Sequence, residues 1–234
     1  MKNRSGWLRI KKNNYFGLVV FDCDGVLTNH HSSWALLHEY FGSKDNRYFA
    51  ELYRRDLISY LDWMKIDIAL MIHSYGKPIH RREVVEALSR IKIVPQAKQV
   101  FQKLKNMGFT IGVVSSGVDI LVKRACKELG SDFCLYNELL FVDDELIPGG
   151  KPNVPLKEKP RIIKQLAEQY GLTMDLVTYI GDSVWDIPVF KEVGLSIAIE
   201  PCGNACSEAD YSVKNLLDTL KIIENYYKKK SSNL

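Results

Sequence analysis

The chain has 234 residues, 46% hydrophobic and 26% charged, the makeup of a soluble globular protein with room for one α/β core and a small inserted domain. Its formal net charge of +4 is mild and gathers partly at residues 2–12 and 228–230, which read as solvated ends and not as a nucleic-acid surface. No apolar run approaches a membrane span and the basic start lacks the apolar stretch of a secretory signal, so the expectation is a cytoplasmic monomer or homodimer without nucleic-acid or membrane partners.

Residues 1–14 are polar and basic and read as an extension, with room for a short added strand at 7–10. Next comes Leu18-Val19-Val20-Phe21, a continuous apolar run that suits a strand buried on both faces. It ends abruptly in Asp22-Cys23-Asp24-Gly25. Strand alternation sends Asp22 and Asp24 to one side and Cys23 to the other. A calcium loop of the EF-hand type is excluded, since its closing position falls on Ser33 or Trp34 and not on Glu.

From Trp34 to about Arg90 the pattern is helix after helix. Trp34, Leu37, His38 and Phe41 fall at helical spacing before Gly42, and Asp45 can cap the next helix, which carries Phe49, Leu52 and Tyr53. Residues 57–72 are apolar enough to be buried on most sides. Gly76-Lys77-Pro78 breaks the chain, with Pro78 at the start of a further helix. From Pro95 helices and strands alternate. Helices are expected at 96–107, 118–129, 159–170 and 187–192, and a last one from Val213 into the basic tail. Strands are expected at 109–114, 133–136, 139–142, 145–147, 177–180 and 195–199, with Asp143-Asp144 as a hairpin turn. This alternation means a doubly wound parallel α/β sheet. Its core domain would be residues 15–28 plus 94–234, interrupted by a helical domain at 29–93.

Cys23, Cys126, Cys134, Cys202 and Cys206 are odd in number and scattered, which argues for reduced thiols in a reducing cytosol. No second Cys/His pair stands near Cys202 and Cys206 to complete a metal site.

Three strands end in polar groups: Asp22 and Asp24, Ser115 and Ser116, Asp182 and Asp186. Parallel strands place their carboxyl ends on one edge, so these groups converge there. Several carboxylates and a hydroxyl in one crevice make an oxygen site suited to Mg²⁺. Lys159 opens a helix aimed at the same edge, and lysine, helix terminus and ion together would bind a dianionic phosphate. Lys157 is a rival for the lysine's place. Arg47, Arg54, Arg55, Arg81 and Arg82 in the helical stretch are candidates for an anion clamp.

These segments resemble the haloacid dehalogenase superfamily of phosphohydrolases, in the branch that contains phosphoserine phosphatase. The likeness lies in Asp22-x-Asp24-Gly25, Val114-Ser115-Ser116-Gly117, Lys159 and Gly181-Asp182-Ser183-x-x-Asp186, with a helical cap directly after the first motif. The resemblance implies a phosphomonoesterase of small phosphorylated metabolites. In it Asp22 is the nucleophile and Asp24 the general acid and base. Ser115, with Ser116 beside it, and Lys159 bind the phosphate. Asp22, Asp24 through its carbonyl, and Asp182 hold Mg²⁺, and Asp186 supports them. His31 is a candidate substrate contact, standing where the branch has an acid for the substrate amine. That departure points away from phosphoserine and toward a neutral or anionic leaving group. A phosphomutase or phosphotransferase using the same intermediate, and an inactive binding protein on this fold, remain the alternatives.

Overall fold

The structure, a computed structural model, describes residues 17–44 and 47–231; the strand expected at 7–10 and the cap expected at Asp45 lie outside them. At its centre is β1 (Leu18–Phe21), whose side chains are all fully buried. Leu18 and Val20 pack into the core on one face of the sheet. Val19 and Phe21, followed by Cys23, pack into the core on the other. Both faces are covered, so a polar residue finds no place before the strand's carboxyl end.

The chain then passes through α1 (Ser33–Tyr40), α2 (Arg47–Arg54), α3 (Tyr60–Tyr75) and α4 (Arg81–Ser89). α3 starts in a capping box between Ser59 and Asp62, ends at Gly76 with φ 73°, and packs along the hairpin strand β4 defined below. Where the chain leaves and re-enters the core it runs beside itself: Thr28 bridges Ile93, and the Val94 N–H donates to the Leu27 carbonyl.

Alternation follows as expected: α5 (Pro95–Asn106), β2 (Thr110–Val118), α6 (Asp119–Leu129), β3 (Phe133–Val142), β4 (Glu145–Lys151), α7 (Lys159–Gln169), β5 (Val177–Gly181), α8 (Ile187–Phe190), β6 (Leu195–Ile199), α9 (Ala205–Glu208), β7 (Tyr211–Val213) and α10 (Asp218–Ser231). The sheet order is β4-β3-β2-β1-β5-β6-β7, parallel throughout except for the β3–β4 hairpin. The chain winds outward from β1 to β2 and β3, then returns to the other side of β1 as β5 and β6. The crevice at the carboxyl end of β1 therefore lies at the switch in winding direction. Phe21 is level with Val113 and Ile180, so the ends of β1, β2 and β5 meet at one height.

Four local expectations are corrected. Pro78 does not open a helix: Ile79 and His80 are drawn into pairing with the hairpin, the Leu146 N–H donating to the Ile79 carbonyl, and α4 begins only at Arg81. The two pieces expected at 133–136 and 139–142 form one strand with a register shift at Leu139/Leu140. The turn between β3 and β4 does fall at Asp143-Asp144, with φ 48° and 68°. Val213 ends an edge strand that covers the open side of β6, since an unpaired strand edge leaves backbone groups unsatisfied, and the last helix starts at Asp218. The cysteines are not all reduced: Cys126–Cys134 and Cys202–Cys206 are disulfides, with Cα atoms 6.3 and 5.2 Å apart, and Cys23 is free and buried. The first joins α6 to β3, neighbours that packing brings together. No helix among the described residues is long and apolar enough to cross a membrane.

Candidate active site

Beyond Phe21 the backbone turns at Gly25, with φ 72°. A side chain there would run into the Asp182 carboxylate, so glycine is what lets the ends of β1 and β5 close on each other. Asp22 is 7% exposed. Its Oδ1 accepts the Cys23 N–H at 2.7 Å, and its Oδ2 accepts the Lys159 ammonium at 2.5 Å. Burial pushes the Asp22 pKa up, while Lys159 pulls against it.

Asp24 meets different surroundings. Its Oδ2 accepts the N–H and the hydroxyl of Ser33, each at 2.7 Å, and its Oδ1 is buried with no hydrogen-bond partner. Burial raises its pKa to about 6 against the pull of those two bonds. Ser33 opens α1, where the first N–H groups have no partner within the helix. Sequence reasoning missed it, although Ser32-Ser33 ahead of a helical apolar pattern is a cap signal that places such donors near Asp24.

Lys159, at the start of α7, is 1% exposed. Besides Asp22 its ammonium reaches Asp186 Oδ1 at 2.8 Å and the Tyr179 hydroxyl at 3.2 Å. Burial alone would lower its pKa, but Asp186 and Asp22 hold it well above the usual lysine value. Both Asp186 oxygens are committed. Oδ1 takes Lys159 and the Tyr179 hydroxyl at 2.7 Å; Oδ2 takes the Asp182 and Ser183 N–H groups and the Ser183 hydroxyl at 3.0–3.2 Å. Burial would raise this carboxyl, yet Lys159 and those donors keep it low. Lys157 turns away, its ammonium on Asp56 at 2.6 Å and on the Arg54 carbonyl at 2.9 Å. Of the two lysines, Lys159 occupies the crevice.

The two serines of β2 diverge. Ser115 faces Asp22, whose pKa its hydrogen bond lowers, and accepts the Gly117 N–H at 3.1 Å. Ser116, expected beside the phosphate, instead donates its hydroxyl to the Val154 carbonyl at 2.8 Å. The Ser116 carbonyl gathers three donors: Trp34 Nε1 at 3.2 Å, the Tyr60 hydroxyl at 3.1 Å and Asn137 Nδ2 at 2.9 Å.

Asp182 continues β5, and its Oδ2 lies 3.0 Å from Nδ1 of the largely exposed His31. Burial and then Asp22 raise its pKa to about 7, with His31 opposing. His31 thus sits against a carboxylate of the crevice while also bordering the cavity. Asp22, Asp182 and Asp186 offer oxygens within 4.8 Å of one another, all buried. Burial forces the pKa values of Asp22 and Asp182 upward, a crowding that a divalent hard cation would relieve, and oxygen-only donors suit Mg²⁺. With its oxygens spoken for, Asp186 fits a bracing place better than direct ligation.

A cavity of about 300 Å³ opens over these groups. Asp22, Asp24, Ser115 and Asp182 lie at its base; Trp34, Tyr60, Trp63, Met64, Asp67 and Trp185 supply much of the wall. None of the five candidate arginines lines it; all five are exposed, Arg54 pairing with Glu51 and Arg81 with Asp144. The arginine clamp is therefore not formed.

The chain has known relatives. A sequence profile of the haloacid dehalogenase-like hydrolases matches residues 16–194. The phosphoserine phosphatase of Methanocaldococcus jannaschii is 26% identical over 211 residues, 88% of this chain and 97% of that protein. That of Streptococcus thermophilus is 30% identical over 209 residues, 89% of this chain and 94% of that one. Among solved structures, a phosphoserine phosphatase captured as a phospho-aspartyl intermediate analogue superposes with a TM-score of 0.76 at 24% identity, covering 90% of this chain and all of the other.

Proposed function

The chain belongs to the haloacid dehalogenase-like hydrolases, and from that premise we propose that it is a Mg²⁺-dependent phosphomonoesterase of small metabolites working through an aspartyl phosphate. The observation that carries this is the pair of unlike carboxylates in one cavity. Asp22 is braced against an ammonium at 2.5 Å, and Asp24 has a pKa near 6 and one free oxygen.

Asp22 Oδ2 attacks phosphorus and the bond from phosphorus to the ester oxygen breaks. Asp24 gives its proton to that oxygen, so an alcohol leaves. Water then attacks the phosphorus, passes a proton to Asp24, and the aspartyl C–O–P linkage opens at phosphorus to release phosphate and restore Asp22. Asp24 acts as acid and then base, a part suited to a group that titrates near neutral pH. Lys159 balances charge on Asp22 and on the transferring group, and Ser115 holds a phosphoryl oxygen. Asp22, Asp182 and the Asp24 carbonyl would hold Mg²⁺, with Asp186 behind them. The ion would supply positive charge to the phosphoryl oxygens. Residues 29–93 serve as a cap over a core of 15–28 plus 94–234.

The test is release of phosphate from p-nitrophenyl phosphate with Mg²⁺, compared between the native enzyme and Asp22→Asn. Turnover lost in the variant and on chelation supports the reading; equal turnover by the variant contradicts it.

A further inference from the structure

The wall opposite the carboxylates has a chemistry of its own. Tyr60, Trp63, Met64 and Asp67 stand at i, i+3, i+4 and i+7 of α3, which puts them on one face of that helix, and all four line the cavity. Trp34, from α1, joins them. The polar tips of two of these rings are already used: the Trp34 N–H and the Tyr60 O–H both donate to the Ser116 carbonyl, and Asn137 in turn donates to the Tyr60 oxygen at 3.2 Å. What those rings offer the cavity is carbon and π surface.

The wall also carries a carboxylate. Asp67 is 6% exposed and lines the cavity; His38 Nε2 lies behind it, 3.4 Å from Oδ1. Among the described residues, no lysine or arginine lines the cavity. Arg54 stacks on Trp185, 5.4 Å from the ring centroid, and Tyr53 packs behind Tyr60 and Trp63; Trp34, Tyr60 and Trp63 are the other rings that line the cavity. A leaving group bearing a carboxylate would meet Asp67, with no lysine or arginine among the described lining residues to receive it. Sugar hydroxyls would meet, in Trp34 and Tyr60, rings whose donors are spent. An ammonium would find both a carboxylate and aromatic faces, the pairing that recognises organic cations. The volume, at the small end of ligand pockets, suits a short amino alcohol and not a nucleoside.

Resting on the phosphatase reading above, we propose that this site selects phosphomonoesters of small amino alcohols that carry a cationic ammonium and no carboxylate. Asp67 is the counter-charge and Trp34, Tyr60 and Trp63 are the walls. The ammonium takes no part in bond making; the ester P–O bond breaks and the alcohol oxygen receives the Asp24 proton as before. This replaces the neutral or anionic leaving group expected from His31 and the arginines, because His31 is engaged with Asp182 and the arginines lie elsewhere.

The experiment compares kcat/KM with Mg²⁺ for phosphocholine, its uncharged carbon isostere 3,3-dimethylbutyl phosphate, glycerol phosphate and phosphoserine, with p-nitrophenyl phosphate as the control for chemistry. We expect phosphocholine to exceed its isostere and phosphoserine at least tenfold. Asp67→Asn should bring the ratio of phosphocholine to isostere down to near one. Should Asp67→Asn fold poorly beside His38, Trp63→Leu, on the partly exposed face, should lower the same ratio severalfold. An isostere, glycerol phosphate or phosphoserine equal to or better than phosphocholine, while p-nitrophenyl phosphate is still turned over, overturns the cation preference and leaves the phosphatase standing. Failure of the folded enzyme on every ester, p-nitrophenyl phosphate included, overturns both.

Discussion

The two walls of the cavity are built on different principles. The base is made of strand ends: Asp22, Ser115 and Asp182 arrive from β1, β2 and β5, and parallel pairing with Phe21 level with Val113 and Ile180 leaves them nowhere else to go. The opposite wall is built chiefly on one helix face, joined by Trp34 from α1 and by Trp185, and its content depends on how α3 is rotated and on where Ser116 anchors Trp34 and Tyr60. The base carries charges locked in pairs and is suited to one reaction. The wall carries ring faces and a carboxylate and can change without disturbing the base. Chemistry and selectivity are in this way separable, and each of the following variants tests that separation.

The largest effect belongs to the base. Asp22→Asn should lower kcat by about 10⁴-fold or more, since losing a nucleophile removes the covalent route itself. Steady-state assays within tenfold of the native enzyme would refute its assignment. Next is Lys159→Ala, for which about 10²-fold is expected in kcat, the scale of a lost electrostatic stabiliser. Removing the ammonium also leaves Asp22 and Asp186 buried without their shared partner, so denaturant unfolding should show a loss of about 3–5 kcal/mol. Lys157→Ala, with its ammonium on Asp56 outside the crevice, should stay within about threefold in kcat. The reverse ranking would move the catalytic lysine by two residues.

A smaller effect joins metal to proton. Asp24 and Asp182 have pKa values raised to about 6 and about 7, so their contribution to stability is complete below the ordinary carboxylate range and is lost as pH rises through those values. Between pH 5 and pH 8 the metal-free protein should therefore lose stability from these two groups, and Mg²⁺, which takes Asp182 in its charged form, should restore it. The Mg²⁺-induced rise in Tm should be several degrees larger at pH 8 than at pH 5. An equal or inverted difference would contradict the carboxylate site. Smallest of all, Arg81→Ala should change kcat/KM less than about twofold, as expected of an exposed ion pair away from the cavity.

The same division governs how much could be read from the sequence. Strand ends declare themselves, because an apolar run that stops at Asp22-Cys23-Asp24 or at Gly181-Asp182 marks both the strand and the edge it reaches. The meeting of Asp22, Asp24 and Lys159 at one edge and the sheet class were legible for that reason. Ser33 was not, since its value lies in helix-start donors aimed at Asp24. The wall was not legible either. Residues 57–72 read as broadly buried, and only the capping box at Ser59 and the Tyr60, Trp63, Met64, Asp67 spacing together mark the face that lines the cavity. The arginines misled because charge was read without direction. Cysteine spacing hid the Cys126–Cys134 bridge, which depends on α6 folding back onto β3.

The central claim is that Asp22 itself receives the phosphoryl group. An acyl phosphate is reduced by borohydride, so quenching the enzyme with borohydride during turnover of p-nitrophenyl phosphate and measuring peptide masses reads the site directly. The Asp22 carboxyl alone should be reduced to the alcohol, only when substrate and Mg²⁺ are both present. Reduction at Asp24 or Asp182 instead, or an unmodified Asp22 peptide while turnover continues, would contradict it.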